Sequence, residues 1–70
     1  MTDKTRQAVA KKIREIRLKK GLTQADVAKR ADADTNYYAK VERGEATPSM
    51  NMLEKIIKAL GAKSSDVLPF

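Results

Sequence analysis

The whole excess of basic side chains lies in the first twenty residues of the chain. Residues 1–20 hold eight Lys and Arg against Asp3 and Glu15, whereas residues 21–70 hold seven charges of each sign. The net charge of +6 favours polyanionic partners through non-specific attraction. A solvated helix face explains the same charges equally well, so charge alone does not identify a nucleic-acid partner.

Side chains that perform covalent catalysis or bind metal ions are scarce in this sequence. It contains no cysteine and no histidine, no acidic cluster at metal-ligand spacing and no glycine-rich phosphate-binding loop. Seventy residues make one domain at most and leave no room for a sizeable pocket. We therefore expect a single domain that is not an enzyme and takes no metal, cofactor or small-molecule ligand.

Apolar residues never run far enough to span a bilayer, and no signal peptide opens the chain. A basic amphipathic helix acting on membranes remains an alternative for the first segment, but its apolar stripe is narrow and is needed for the core. The absence of cysteine is compatible with a reducing cytosol. We expect a cytoplasmic protein with no membrane partner.

Helical periodicity and its punctuation divide the chain into short segments. In the first segment Val9, Ile13 and Ile16 share one face, and Gly21 follows where a helix end favours positive φ. The side chains that can cap the next three helices are Thr23, Asp34 and Ser49. No strand pattern or repeat is present, so the chain is expected to be all-α. The predicted elements are four helices and a short fifth, at residues 4–20, 24–31, 35–43, 50–60 and 65–69.

The second and third predicted helices are joined by only three residues, 32–34. Two short helices joined in this way must cross steeply, and the small Ala28 lies where they would touch. Such a helix-turn-helix, here spanning Gln24 to Arg43, can project its second helix into a DNA major groove. A generic helical hairpin shares some of these features, so spacing alone leaves that alternative open.

Several separated motifs resemble the Cro/phage-repressor type (Xre-like) of helix-turn-helix regulators. They are Ile13–Arg17, Lys20–Ala28, Val41–Gly44, Pro48–Ser49, Leu53, Lys55–Ile56 and Ala59–Leu60. The resemblance covers about residues 9–61 and implies a compact lambda-repressor-like bundle. It also implies a sequence-specific transcriptional regulator of bacterial or phage origin, often a repressor, associated with the nucleoid and bound to double-stranded DNA.

The resemblance implies that Thr35, Asn36 and Lys40 read bases from the outward face of the third helix. Their types suit this role, because Asn pairs with adenine, Lys donates to guanine and the Thr methyl packs on thymine. Ala39 is expected on the same face, where it would allow close approach. Residues like these also occur on any exposed helix.

The resemblance assigns contacts with the DNA backbone to another group, Gln24, Thr23, Arg43 and Tyr37. Gln24 opens the second helix, where free N–H groups and the helix dipole favour a phosphate, and it also resembles a residue that braces the start of the reading helix. Thr23 is the helix cap, and Tyr37 lies at the edge of the reading face, where packing on the fourth helix is an equal alternative. The alternative for Arg43 is a solvated side chain.

Arg17 and Glu42 match a family pair in which an arginine of the first helix meets the glutamate that ends the third. The resemblance implies that this pair is partly buried and structural, so Glu42 is not interpreted as a catalytic acid.

The turn departs from the family pattern at three positions. Asp32 replaces the usual glycine at a position of positive φ, which Asp tolerates better than most residues. Ala33 replaces a larger aliphatic residue, and Tyr38 replaces a smaller one. We hypothesise that the ring of Tyr38 fills the volume that Ala33 leaves.

Regulators of this type commonly bind two half-sites about 34 Å apart as two-fold dimers. We therefore expect a homodimer on a palindromic operator, with an apolar surface drawn from Met50, Met52 and residues 67–70. A monomer whose tail caps the core is the alternative. A second alternative is the antitoxin half of a toxin–antitoxin pair, a protein-interaction module that also binds DNA.

Overall fold

The computed structural model describes residues 1–70 and contains five helices and no strand. The helices are α1 (Asp3–Lys19), α2 (Gln24–Arg30), α3 (Thr35–Glu42), α4 (Met50–Ala59) and α5 (Ser64–Val67). The expected all-α architecture of four helices and a short fifth is confirmed, and the bounds of α1 to α4 agree with the prediction to within one residue. No helix has the length and apolar character that crossing a membrane requires.

Side-chain caps explain why these helices begin where they do. The Thr23 hydroxyl accepts from the Asp26 N–H at 3.0 Å, and the Asp26 carboxylate accepts from the Thr23 N–H at 2.9 Å. The Asp34 carboxylate accepts from the Tyr37 N–H at 3.0 Å at the start of α3. Each cap satisfies N–H groups that have no partner inside the helix. The start of α3 is therefore fixed by a local interaction.

The turn between α2 and α3 places Asp32 at a φ of 54°. It is the only residue other than glycine with a positive φ in the chain, as the family pattern implies. The backbone is held by the N–H of Ala33, which donates to the carbonyl of Ala28 at 2.8 Å. The unusual residue therefore adopts the conformation that glycine ordinarily supplies.

The fifth helix differs from the prediction at both ends. It ends at Val67, two residues early, because Leu68 is extended at a ψ of 135°. The residue before a proline is disfavoured in the helical region, and Pro69 follows directly. At the other end the helix begins at Ser64, and the N–H of Lys63 donates to the Asp66 carboxylate at 2.9 Å. The N-cap is therefore Lys63.

The core lies where α2 crosses α3 and α4, with α1 packed across α3 and α5. Tyr38 is its largest fully buried side chain, and Ala33 packs against the core from a half-buried position. The core also contains Val9, Ile13, Val27, Ala28, Ala31, Val41, Leu53, Ile56, Ile57, Ala59, Leu60 and Val67. Burial of the inner side of α3 leaves its opposite side facing solvent.

Candidate nucleic-acid interface

The outward side of α3 carries three side chains that form no hydrogen bond or ion pair within the protein. Thr35, Asn36 and Lys40 are all exposed. None of them forms a side-chain hydrogen bond or an ion pair. Tyr38 and Val41, on the inward side, are buried. The structure thus brings the three expected reading residues together on one accessible face with their polar groups free.

Ala39 lies among these residues but is nearly buried, and a contact between Ala39 and DNA stays a prediction. Its side chain is only 9% exposed. A helix turns by about 100° per residue, which places Ala39 on the same side of α3 as Thr35 and Asn36, with the buried Glu42 next to it. The small side chain therefore packs within α3's surroundings and offers little surface of its own.

Tyr37 lies at the edge of α3, half-buried and packed against the core cluster. Part of its side chain therefore packs on the core, and a contact of its hydroxyl with DNA stays a prediction. Thr23 is exposed, but its hydroxyl already accepts a hydrogen bond from the Asp26 N–H. A phosphate contact by Thr23 stays a prediction and would have to use the hydroxyl hydrogen.

Arg17 and Glu42 form a buried two-pronged ion pair between α1 and the end of α3. The Nε of Arg17 donates to Oε2 of Glu42 at 2.6 Å, and Nη2 donates to Oε1 at 2.8 Å. The remaining Nη1 donates to the carbonyl of Leu22 at 2.9 Å. The side chain of Glu42 is 2% exposed. The two residues therefore lie in contact, as the resemblance implies, and they hold the last residue of α3 against α1.

Gln24, the first residue of α2, lies beside this pair. Its Nε2 approaches Oε1 of Glu42 at 3.4 Å, a weak hydrogen bond by its length. Gln24 thus contacts the end of α3, whereas the expected brace was at its start. The other amide hydrogen stays free for a phosphate at the N-terminus of α2.

The electrostatics of Glu42 combine opposing effects. Burial alone would raise the pKa of its carboxyl, but hydrogen bonds led by those from Arg17 outweigh burial and hold the pKa below its usual value. The buried hydroxyl of Tyr38 has no hydrogen-bond partner, and burial raises its pKa. Glu42 therefore stays ionised at neutral pH and bound to Arg17, which fits a structural residue.

Arg43 directly follows α3, and its side chain is 54% exposed. It forms an ion pair with Glu45, which the sequence reasoning missed. The hydrogen bond from Arg43 lowers the pKa of the Glu45 carboxyl. The sequence did contain a signal for this ion pair, because Arg43 and Glu45 have opposite charges and are two positions apart in a turn. A phosphate that binds Arg43 has to compete with Glu45.

Comparison with known proteins gives consistent results for sequence and structure. The family model described as "Helix-turn-helix" matches residues 13–68. Control protein C.BamHI of Bacillus amyloliquefaciens is 38% identical over 71 residues, covering 100% of this chain and 88% of that protein. Both matches extend over the residues that carry the predicted motifs.

Two solved structures of restriction-modification controller proteins have the same fold. C.AhdI from Aeromonas hydrophila superposes with a TM-score of 0.86 at 28% identity, covering 90% of this chain and 96% of that one. C.Esp1396I, solved as a tetramer with its natural 35 base-pair operator, gives a TM-score of 0.82 at 33% identity, covering 87% and 80%. The expected lambda-repressor-like fold is therefore confirmed.

Proposed function

Because the chain belongs to the helix-turn-helix family of Xre/Cro-like transcription regulators, we propose that it binds a palindromic DNA operator as a homodimer. In this proposal α3 of each protomer enters the major groove. The observation that carries it is the face of α3, where Thr35, Asn36 and Lys40 are exposed and unengaged. Proteins of this family are regulators and not enzymes, so no reaction is assigned.

The reading chemistry follows from the side-chain types. The amide of Asn36 can accept from and donate to adenine, while Lys40 donates to the acceptors of guanine and Thr35 contacts thymine. Ala39 is left out of this set because of its burial. The proposed base contacts thus come from three residues within the first two turns of α3.

Backbone contacts would hold α3 in register on the duplex. Gln24 offers a free amide hydrogen at the N-terminus of α2, where the helix dipole favours a phosphate. Arg43 offers a guanidinium just after α3. These contacts carry no sequence information themselves, but they orient the reading helix.

Pairing of two chains is supported by exposed apolar side chains away from α3. Met50 is 72% exposed and Phe70 is 88% exposed. Val67, by contrast, is buried in the core, so it is not available for an interface. One reading helix buries little DNA surface, and pairing would place two of them on successive turns of one side of the duplex.

The similarity to the restriction-modification controller proteins C.AhdI and C.Esp1396I supports a more specific role. We extend the proposal to the control of a restriction–modification gene pair, with the protein associated with the nucleoid through its operator. The antitoxin alternative has no specific contact in the structure in its favour.

In vitro selection of bound duplexes from a random pool tests this function. The expected product is a palindrome whose half-sites lie at a fixed spacing of about 34 Å. Recovery of random sequences with a steep salt dependence would leave only a basic domain that binds DNA non-specifically. Recovery of a single asymmetric half-site would contradict the homodimer.

A further inference from the structure

A groove of about 710 Å³ lies between α1 and the helix-turn-helix. Three elements form its walls, namely the middle of α1, the first residue of α2 and the end of α3. The polar side chains along it include Gln7, Lys11, Arg14, Gln24, Glu42 and Arg43. The groove therefore joins the basic first helix to the two proposed backbone contacts, Gln24 and Arg43.

Some charged side chains of this groove form ion pairs and others do not. Glu42 is neutralised by Arg17, and Arg43 is paired with Glu45. Lys11 and Arg14 are exposed and belong to no ion pair. One further carboxylate, that of Glu15, also lines the groove without an ion pair. Two free cations thus remain against one free anion.

The buried neighbours of Arg14 show on which flank of α1 it lies. Ala10 and Arg17, one turn before and one turn after it, are both buried. On the same flank, Nε2 of Gln7 donates to the carbonyl of Gly44 at 3.2 Å. This flank of α1 therefore contacts the segment that directly follows α3, and its cations lie beside the proposed DNA backbone contacts.

We propose that Lys11 and Arg14 bind phosphates of the DNA strand whose backbone Gln24 and Arg43 contact. The first helix is then a third part of the DNA interface, together with α2 and α3. This inference rests on the proposed function, because it requires a duplex placed with α3 in its major groove. Lysine and arginine on such a groove recognise phosphate by charge, without reading sequence.

The chain supplies a matched control for this proposal. Lys12 and Lys19 are equally exposed on α1 but lie outside the groove, on a surface that they share with Asp66 near α5. The variant Lys11→Gln/Arg14→Gln and the variant Lys12→Gln/Lys19→Gln have the same net charge. Because the two variants have the same net charge, their long-range attraction to DNA is equal. A difference in DNA binding between them therefore reflects where on the molecule the charges were removed.

The experiment measures fluorescence anisotropy over a range of salt concentrations, with a duplex of the selected site and a shuffled duplex of equal length. For Lys11→Gln/Arg14→Gln we expect weaker binding to both duplexes and a slope of log K against log salt that is smaller by about 2 than for the wild type. For Lys12→Gln/Lys19→Gln we expect a slope close to that of the wild type. Circular dichroism verifies that both variants are folded.

Equal slopes for the two variants would overturn the inference, whether both fall or neither does. Failure of the proposed function gives a different result, in which the wild type binds the selected and shuffled duplexes equally well. The comparison of slopes on the shuffled duplex still decides whether α1 contacts phosphates in that case.

Discussion

Asn36 and Lys40 project from α3 without a hydrogen bond or ion pair inside the protein, so replacing them removes no contact that stabilises the fold. We expect Asn36→Ala or Lys40→Ala to weaken binding to the selected duplex by about 1–3 kcal/mol per lost base contact. The preference at one base pair should relax in each case. Titration of duplexes with single substitutions measures both effects.

Arg43→Ala is the control for these reading variants. A lost phosphate contact weakens binding to selected and shuffled duplexes by a similar factor. An Asn36→Ala variant that behaves in the same way would contradict base reading by Asn36.

Glu42 is the residue whose replacement should affect stability most directly. Because its side chain is 2% exposed, Glu42→Gln leaves the guanidinium of Arg17 buried without a countercharge. We expect a loss of about 3–5 kcal/mol in the free energy of unfolding, measured with urea at fixed protein concentration. The control is Glu54→Gln, which breaks the exposed pair with Lys58 and should lose less than about 1 kcal/mol.

The stabilisation by Glu42 should also depend on pH. Its pKa in the fold lies below the usual value of 4.5, so the unfolded chain binds the proton more tightly. The contribution is therefore complete above that usual value and is lost as the pH falls through the folded pKa. The difference between the wild type and Glu42→Gln should be smaller at about pH 3 than at about pH 7. A difference independent of pH would contradict this assignment.

The turn between α2 and α3 is the element in which sequence and conformation agree least. Asp32 has a φ of 54°, a region in which a side chain introduces strain. We expect Asp32→Gly to raise the free energy of unfolding by up to about 1 kcal/mol and Asp32→Val to lower it. Urea unfolding of both variants measures the effect, and a destabilised glycine variant would show that the Asp side chain stabilises the turn.

The packing of this turn against α3 tests the compensation between Ala33 and Tyr38. Tyr38→Val should leave a cavity and lower the free energy of unfolding by about 2–5 kcal/mol. Ala33→Val should overpack the site and lower the free energy of unfolding by about 1–3 kcal/mol. If the two volumes compensate, the double variant loses less than the sum of the single losses. A stabilised Ala33→Val variant would refute the hypothesis. Thermal or urea unfolding of the three variants decides between these outcomes.

Features determined by neighbouring residues were predictable from the sequence, whereas features determined by tertiary packing were not. Asp34 caps α3 through the N–H of Tyr37, three residues away, and such local bonds explain the accurate helix starts. The burial of Ala39 depends on how α3 packs against its neighbours, which helical periodicity does not specify. The contact of Gln24 with Glu42 joins residues far apart in sequence, and the resemblance suggested the wrong end of α3 for it.

At the scale of the whole molecule, the exposed Met50 and Phe70 carry the dimer proposal. We expect Met50→Ser/Phe70→Ser to raise the dissociation constant of the dimer and to weaken binding to the palindrome more than to a single half-site. Removal of apolar area from an interface weakens association because that area no longer leaves water. Sedimentation equilibrium measures the dissociation constant. Leu18→Ser is the control for the dissociation constant of the dimer, since Leu18 is also exposed, at 56%, but lies in the wall of the groove on α1.

An unchanged dissociation constant in Met50→Ser/Phe70→Ser, or an equal change in Leu18→Ser, would contradict the proposed interface. The monomeric alternative is then favoured, with the C-terminal tail serving only the core through Val67.

The anchoring of α3 at both ends has an evolutionary consequence. Asp34 caps its start and Arg17 holds Glu42 at its end, whereas the outward residues take no part in either interaction. The proposed reading residues can therefore change at little cost in stability, and a duplicated gene can vary those outward positions while its product still folds. Paralogues of this chain would then diverge fastest in operator preference and slowest in the ion pair that supports the helix.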